Sequence, residues 1–217
     1  MNNCLVYADS LSWGLIPGTR ARLPFDQRWP GVLELGLQAQ GKAVRVIEDC
    51  LNGRRTVWDD PFKPGRRGLG DVAQRIEVNS PLALVMVMLG TNDFQASHNN
   101  SALLSAQGLA TVLTAIRQAP IEPGMPVPPI LLIAPPPITQ PLGLIAAKFE
   151  GAQHRCVGFP QALKDVATAL GCHFFDAGAV VTASALDGVH LDASAHQTLG
   201  QALQPVVASL LKTPSPP

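Results

Sequence analysis

The sequence predicts an α/β protein built on a parallel, doubly wound β-sheet. Short apolar runs that end at Gly, Asp, Asn or Pro alternate with stretches in which apolar residues recur at helical spacing. Two of the runs, 82–89 and 129–134, are almost continuously apolar, as expected of parallel strands covered on both faces. Alternation of this kind favours right-handed crossovers, and such sheets bind ligands outside the carboxyl ends of their strands.

The predicted elements follow from these patterns in chain order. Strands are expected at 4–7, 43–47, 82–89, 129–134 and 173–175. Two helical stripes are formed by Trp29, Val32, Leu33 and Leu37, and by Leu103, Leu104, Leu109, Val112, Leu113 and Ile116. Further helices are expected near 150–170 and 193–212, and 52–70 is predicted to be a long Pro/Gly/Arg loop. We expect a single domain over 1–212 and a disordered tail at 213–217.

Composition indicates which partners to expect. The chain has 217 residues, of which 47% are hydrophobic, and its 16 basic residues balance 16 acidic ones. A neutral surface gives no electrostatic reason to expect nucleic acid or an anionic membrane as a partner. No apolar run approaches the ~20 residues of a membrane span, and the start "MNNCLVYADS" does not have the pattern of an export signal. We therefore expect a soluble, cytoplasmic protein.

The cysteines and histidines do not predict a metal or cofactor site. The four cysteines are scattered, with no CxxC pair and no histidines at metal-ligand spacing. A disulfide framework is not expected in a chain of this size that lacks an export signal. We expect no cofactor and no metal.

Ser10 is the first candidate for chemistry, because it ends the first apolar run in "VYADSLSWG". A serine at this position often only bonds the local backbone or caps the next helix. A nucleophile needs a base, an acid that orients the base, and donors for negative charge within reach.

The segment "ALDGVHLDASAH" offers the base and the acid. Asp187 and His190 are three residues apart, so a tight turn can direct both side chains to one side. The carboxylate would then bind one imidazole nitrogen while the other nitrogen faces a serine. The alternative is an ordinary surface turn, because Asp-Gly is a common turn dipeptide. His196 is a rival base, but it falls within the last helical pattern.

Two further strand ends offer donors. "LGTND" places Asn92 just after the third predicted strand, and "LNG" places Gly53 after the second. The Asn92 amide and the Gly53 backbone N–H are suitable donors to a developing oxyanion. Either turn alone would be ordinary turn chemistry. Polar turns after strands one, two and three nevertheless coincide with the edge at which this class of sheet binds ligands.

These blocks together resemble the GDSL (SGNH) hydrolases. The resemblance rests on "ADSLSWG", "LNG", "GTND" and "DGVH" in this order, and it covers nearly the whole chain. Supporting stretches are "RWPGVLE" at 28–34, "VIED" at 46–49, "IAPPP" at 133–137 and "FFDAG" at 174–178. Within the group the sequence is most similar to bacterial arylesterases of the acyltransferase and perhydrolase type. The resemblance implies a flavodoxin-like three-layer sandwich with five parallel strands.

The resemblance also implies site residues. It makes Ser10 the nucleophile, His190 the general base and Asp187 its orienting acid. The N–H groups of Ser10 and Gly53 and the Asn92 side chain would form the oxyanion hole.

Two positions depart from the family pattern, and the pocket is less well defined. The usual glycine before Asp-Ser is Ala8, and Asn52 stands where some relatives have a smaller residue. The candidate substrate-pocket residues are Asp9, Leu11, Trp13, Asn52, Phe94 and Val189, with Leu15, Ile16 and Trp58 as further vestibule candidates.

The predicted activity is hydrolysis of small acyl or aryl esters through an acyl-enzyme, with acyl transfer or perhydrolysis as a second activity. The alternatives are a carbohydrate acetyl esterase, a lysophospholipase or thioesterase on the same fold, and a non-catalytic binding module. By resemblance we also expect a homo-oligomer, with an octamer as one form.

Overall fold

The computed structural model describes residues 1–211, and these residues build one five-stranded parallel sheet with seven α-helices. The strands are β1 (Asn2–Ala8), β2 (Val44–Cys50), β3 (Leu84–Met88), β4 (Ile130–Ala134) and β5 (His173–Asp176). Their spatial order is β2-β1-β3-β4-β5, and each neighbouring pair is parallel. This confirms the predicted α/β fold with five parallel strands. The tail predicted at 213–217 lies outside the described residues.

The helices are α1 (Ser10–Trp13), α2 (Trp29–Ala39), α3 (Gly68–Asn79), α4 (Ala102–Arg117), α5 (Ala152–Arg155), α6 (Phe159–Ala169) and α7 (Ala193–Leu210). Helix α2 packs against α7, whereas α4 lies between α3 and α6. The two helix groups enclose the sheet, so every residue of β3 and β4 is buried. The edge strands β2 and β5 are only partly buried. Burial thus explains why the two central strands are the most continuously apolar.

The structure differs from the sequence expectations in three helical regions. Helix α3 was not predicted, because a Gly/Arg-rich start and only two buried aliphatic residues, Val72 and Ile76, give it a weak apolar stripe. The helix expected near 150–170 is two helices, broken at Gly158, which has φ +84°. The apolar stripe predicted for α4 includes two residues that do not pack in the core, because Leu103 and Leu104 are 62% and 44% exposed.

Within the described part of the chain, no helix combines the length and the apolar character needed to cross a membrane. Over the same residues, no three His, Cys, Asp or Glu side chains are grouped so that they could hold a metal ion.

Candidate active site

Ser10 lies directly after β1, as the first residue of the single-turn helix α1. Asp9 caps this helix, and its Oδ1 accepts a hydrogen bond of 3.0 Å from the Leu11 backbone N–H. Gly14 ends the helix with φ +84°. The short turn therefore holds the Ser10 side chain at the carboxyl end of the second strand in the sheet order, where the fold predicts a ligand site.

The structure brings Ser10, His190 and Asp187 into one hydrogen-bonded chain. His190 Nε2 lies 3.1 Å from Ser10 Oγ, and His190 Nδ1 lies 2.7 Å from Asp187 Oδ2. The three residues are only 5%, 6% and 3% exposed, respectively. An ionised carboxylate only accepts hydrogen bonds, so Nδ1 carries the proton and Nε2 is free to accept from the serine hydroxyl. Such an arrangement can take a proton from a serine as the oxygen attacks an acyl carbon.

The Asp-Gly-Val-His turn fixes this geometry locally. Asp187 Oδ1 accepts from the backbone N–H groups of Val189, at 3.0 Å, and His190, at 2.9 Å. Gly188 has φ +76°, and a Cβ at this position would lie 2.1 Å from the carbonyl oxygen of Gln140. Only glycine therefore fits the turn that directs the carboxylate and the imidazole to one side.

The same contacts keep Asp187 ionised. Burial acts to raise its pKa, but hydrogen bonds from the His190 side chain and from the backbone N–H groups of His190 and Val189 outweigh burial. The pKa of Asp187 is lowered to about 2 as a result. At neutral pH the carboxylate is thus available to stabilise an imidazolium on His190.

Asn92 and Gly53 face the same cavity as Ser10. Asn92 lies in a short 3₁₀ turn after β3, and Gly53 has φ +83° in the loop after β2. Gly90, which begins the Asn92 turn, has φ +111°, and a Cβ there would lie 2.4 Å from the Phe159 ring. Close packing of a helix α6 side chain against a glycine therefore positions the turn that presents Asn92.

A chain of four side chains sets the orientation of the Asn92 amide. Arg55 Nη2 donates to Gln95 Oε1, Gln95 Nε2 donates to Asn92 Oδ1 at 2.7 Å, and Asn92 Nδ2 donates to Asp9 Oδ2 at 3.1 Å. A guanidinium can only donate and a carboxylate can only accept, so the two ends fix both amides in one direction. The second Asn92 N–H is left available to the cavity. We refer to Arg55, Gln95, Asn92 and Asp9 as the amide chain.

Asp9, at one end of the amide chain, is buried, and this burial raises the pKa of its carboxyl group towards neutral pH. Burial raises the pKa of Asp9 to about 6, and hydrogen bonds from Leu11 and Asn92 and the charge of His190 act in the opposite direction. At neutral pH the carboxylate is ionised and accepts from Asn92. Its side chain lies beneath the cavity wall, not on it, which differs from the prediction that Asp9 contacts substrate.

Asp93 joins the loop that carries Gly53 to the turn that carries Asn92. Its Oδ1 accepts from the Thr56 backbone N–H at 2.9 Å, and its Oδ2 accepts from the hydroxyls of Thr56, at 2.6 Å, and Ser105, at 2.7 Å. These hydrogen bonds lower the pKa of Asp93, but burial outweighs them and raises it to about 6. The sequence analysis missed Asp93, Gln95 and Arg55. The i, i+3 spacing of Asn92 and Gln95 in "NDFQ" was the one available signal.

A cavity of about 230 Å³ opens in front of Ser10. This volume is below the roughly 300–1,000 Å³ typical of sites for drug-sized ligands. The wall has an apolar part and a basic part. The apolar part comprises Leu15, Leu142, Leu144, Ile145, Phe149 and Leu186, and the basic part comprises Arg20, Lys63 and Lys148.

The predicted pocket residues are divided between the cavity and the core. Asn52 lines the cavity, and its buried Oδ1 has no hydrogen-bond partner among the described residues. The structure differs from the prediction at Leu11, Phe94 and Val189, each of which is 1% exposed and packed in the hydrophobic core. These apolar side chains follow strand ends or turns but point back under the sheet edge.

The apolar vestibule is also different from the prediction. Trp13 lies outside the cavity, where the Arg22 guanidinium stacks over its ring at 4.9 Å. Ile16 and Trp58 do not line the cavity either, whereas Leu15 does. Leucine and isoleucine side chains therefore supply most of the apolar wall.

The rival base His196 is a buried structural residue. Its Nδ1 accepts a hydrogen bond of 3.2 Å from the Trp29 backbone N–H, and its side chain is completely buried. Burial, together with the positive charges of His190 and Arg28, lowers the pKa of His196 to about 4. It is therefore neutral at physiological pH and joins α7 to the start of α2.

The chain is similar to a known protein family and to several solved structures. The model of the GDSL-like lipase/acylhydrolase family matches residues 9–198. The inhibitor-bound M. smegmatis aryl esterase is 32% identical with a TM-score of 0.91, covering 97% of this chain and 100% of that chain. A carbohydrate acetylesterase family member from Sinorhizobium meliloti is also 32% identical with a TM-score of 0.91, covering 97% of this chain and 99% of that one.

A third solved structure, a putative arylesterase from Agrobacterium tumefaciens str. C58, is 36% identical with a TM-score of 0.89, covering 97% of this chain and 100% of that one. Comparison with curated proteins gave no match. The family match spans most of the chain and the solved structures match it over nearly their full length. The chain therefore belongs to the GDSL-like lipase/acylhydrolase family and is a hydrolase with the GDSL/SGNH esterase fold.

Proposed function

We propose that this protein is a serine esterase that hydrolyses small acyl and aryl esters through an acyl-enzyme on Ser10. The observation that carries the proposal is the hydrogen-bonded chain from Ser10 through His190 to Asp187, which opens on a cavity shared with Asn92 and Gly53. The small cavity volume favours short acyl groups.

The proposed reaction has two halves. Ser10 Oγ attacks the acyl carbon while His190 Nε2 takes the hydroxyl proton, and Asp187 stabilises the resulting imidazolium. The oxyanion accepts hydrogen bonds from the N–H groups of Ser10 and Gly53 and from Asn92 Nδ2. His190 then returns the proton to the departing alkoxide, and the acyl group remains on Ser10.

Water attacks the acyl-enzyme in hydrolysis, with His190 again taking the proton, and release of the acid regenerates Ser10. An alcohol in place of water gives a new ester, and hydrogen peroxide gives a peracid. We propose both as secondary activities, supported by the apolar wall, which lowers the local concentration of competing water. The measurement is the ratio of ester to acid formed from an aryl acetate as alcohol is added.

A carbohydrate acetylesterase is the second candidate, supported by the similarity to the Sinorhizobium meliloti protein. Acetate is small enough for the cavity, so the two candidates differ in the alcohol portion of the substrate. Release of acetate from a peracetylated sugar, compared with release from an aryl acetate, distinguishes them.

The decisive experiment combines p-nitrophenyl acetate hydrolysis with a fluorophosphonate probe, which forms a P–O bond to an activated serine with loss of fluoride. The parent enzyme should hydrolyse the ester and be labelled on Ser10, and Ser10→Ala should lose both with an unchanged melting temperature. The matched control is Ser209→Ala, which removes an exposed hydroxyl on α7 and should keep both properties. A Ser10→Ala enzyme that retains the parent rate would overturn the proposal.

A further inference from the structure

Three basic side chains surround the mouth of the cavity. Arg20, Lys63 and Lys148 all line it together with Ser10, and all three are exposed. They come from separate segments: the chain between α1 and α2, the loop after β2, and the chain between β4 and α5. Within residues 1–211, no carboxylate lies within 4.0 Å of any of the three charged groups.

The nearby acidic groups are already engaged elsewhere. Asp187, the only carboxylate in the cavity wall among residues 1–211, is bound to His190. Asp60 is buried and forms an ion pair with the buried guanidinium of Arg55 at 3.2 Å. The Asp60–Arg55 pair is neutral overall, whereas Asp187 beside neutral His190 keeps its negative charge at the base of the cavity. The mouth itself carries three positive charges, on a chain whose formal net charge is +0.

Lys148 is affected by the charges of the other two cations. Partial burial is the main cause that lowers the pKa of Lys148; the charge of Asp60 acts in the opposite direction, and the positive charges of Arg55, Lys63 and Arg20 lower it further. Lys63 and Arg20 are thus near enough to Lys148 for their fields to disfavour its charge. A negatively charged ligand at the mouth would relieve this repulsion.

The position of the charges determines which end of a substrate they would contact. Ser10, Asn92 and His190 are nearly buried at the base of the cavity, whereas the three cations are at its exposed edge. A short acyl group on Ser10 occupies only the base of the 230 Å³ cavity, so the larger alcohol portion of the ester fills the rest and extends towards the mouth.

We propose that the preferred substrates are esters of small acids whose alcohol portion carries a negatively charged group, bound by Arg20, Lys63 and Lys148. The inference rests on the proposed esterase function of Ser10 and adds the substrate class to it. The cations lie away from the reacting atoms, so they act on substrate capture. Their effect therefore appears in KM and weakens as salt is added.

The experiment compares 4-acetoxybenzoate with 4-acetoxybenzamide, which have the same acyl group and nearly the same shape but differ in one negative charge. Each kcat/KM is divided by the rate constant for attack of imidazole, a neutral nucleophile, on the same ester at the same salt concentration, which corrects for the difference in intrinsic reactivity without adding a charge effect. The ratio of the corrected values, anionic to neutral, is the charge selectivity. We expect a charge selectivity above 1 in the parent enzyme, falling as sodium chloride is increased.

The variants Arg20→Gln, Lys63→Gln and Lys148→Gln should each lower the charge selectivity by about 2- to 5-fold, the effect of removing one exposed charge partner. The triple variant should lower it by on the order of 10-fold or more. Lys164→Gln, which makes the same change at an exposed lysine on α6, is the matched control and should retain the parent selectivity.

The possible failures are distinguishable. A parent enzyme that hydrolyses both esters with a charge selectivity of 1 or less would overturn this inference and leave the esterase function intact. A triple variant with the parent selectivity would do the same. A parent enzyme that hydrolyses neither ester and is not labelled by the fluorophosphonate would overturn both proposals.

Discussion

The amide chain leads to a quantitative prediction for Gln95, which does not touch the cavity. Gln95→Ala removes the donor to Asn92 Oδ1, which is 2.7 Å away and buried, and leaves the Asn92 amide oriented by Asp9 alone. A buried neutral hydrogen bond contributes about 0.5–1.5 kcal/mol net. If all of this energy serves to orient the Asn92 amide towards the oxyanion, its loss corresponds to a decrease in kcat of roughly 2- to 12-fold. KM should change little, because the donor acts on charge that is absent from the bound ester.

A double-mutant cycle separates orientation from general damage. Asn92→Ala should lower kcat by about 10²–10³-fold, the effect of removing one oxyanion donor. In the Asn92→Ala background there is no amide to orient, so adding Gln95→Ala should have no further effect on kcat. The expected coupling energy of about 1 kcal/mol exceeds the roughly 0.3–0.5 kcal/mol within which independent sites add.

The assay is p-nitrophenyl acetate turnover at saturating substrate for the four proteins of the cycle, with a thermal melt of each. Arg55 keeps its ion pair with Asp60 in every variant, so all four proteins should fold. Equal effects of Gln95→Ala in the two backgrounds would refute the idea that Gln95 acts through Asn92. A fall in melting temperature without a change in kcat would give Gln95 a purely structural role.

Two other positions give predictions for stability and for turn geometry. The pKa of His196 is about 4 in the folded protein and about 6.5 when unfolded, so the unfolded chain binds a proton first as pH falls. The free energy of unfolding should therefore decrease by about 2–3 kcal/mol as the pH is lowered from 7 to 4.5. Urea unfolding of His196→Asn, whose amide oxygen can still accept from Trp29, should lack this loss; a constant difference in stability between the two proteins would contradict it. Gly188→Ala should lower the melting temperature and reduce kcat/KM by about 10²-fold, because its Cβ would clash with Gln140 and displace His190. Parent-like activity in that variant would show that the turn can relax.

Much of the fold was predictable because segments that are buried in the sheet and helix packing consist largely of apolar residues. The continuously apolar runs became the buried central strands β3 and β4, and the stripe beginning at Trp29 became the buried face of α2. Helix α3 was missed because its stability comes from packing against α4, which a local pattern does not record. The break between α5 and α6 at Gly158 depends on where the chain turns. The exposure of Leu103 depends on how α4 packs in the tertiary structure. The local content of apolar residues determines neither.

The site was predictable where a residue follows a strand, because a parallel sheet brings its carboxyl ends together. Ser10, Asn92 and Gly53 are grouped for this reason. The tentative pocket residues were less accurate, since adjacency to Ser10 in sequence does not fix the direction of a side chain, and Leu11 points into the core. Gln95 required knowledge of a partner 40 residues away.

The homo-oligomer, the single-domain boundary at 212 and the cytoplasmic location stay predictions. Size-exclusion chromatography with light scattering measures the first directly.

The contact between Ser10 and His190 joins positions separated by 180 residues in the chain. During translation His190 is added 180 residues after the serine with which it pairs, so a nascent chain that stops before position 190 lacks the proposed base. Under the proposed esterase function, ester turnover would report only molecules in which both segments are present and folded together. It would then serve as a measure of refolding yield.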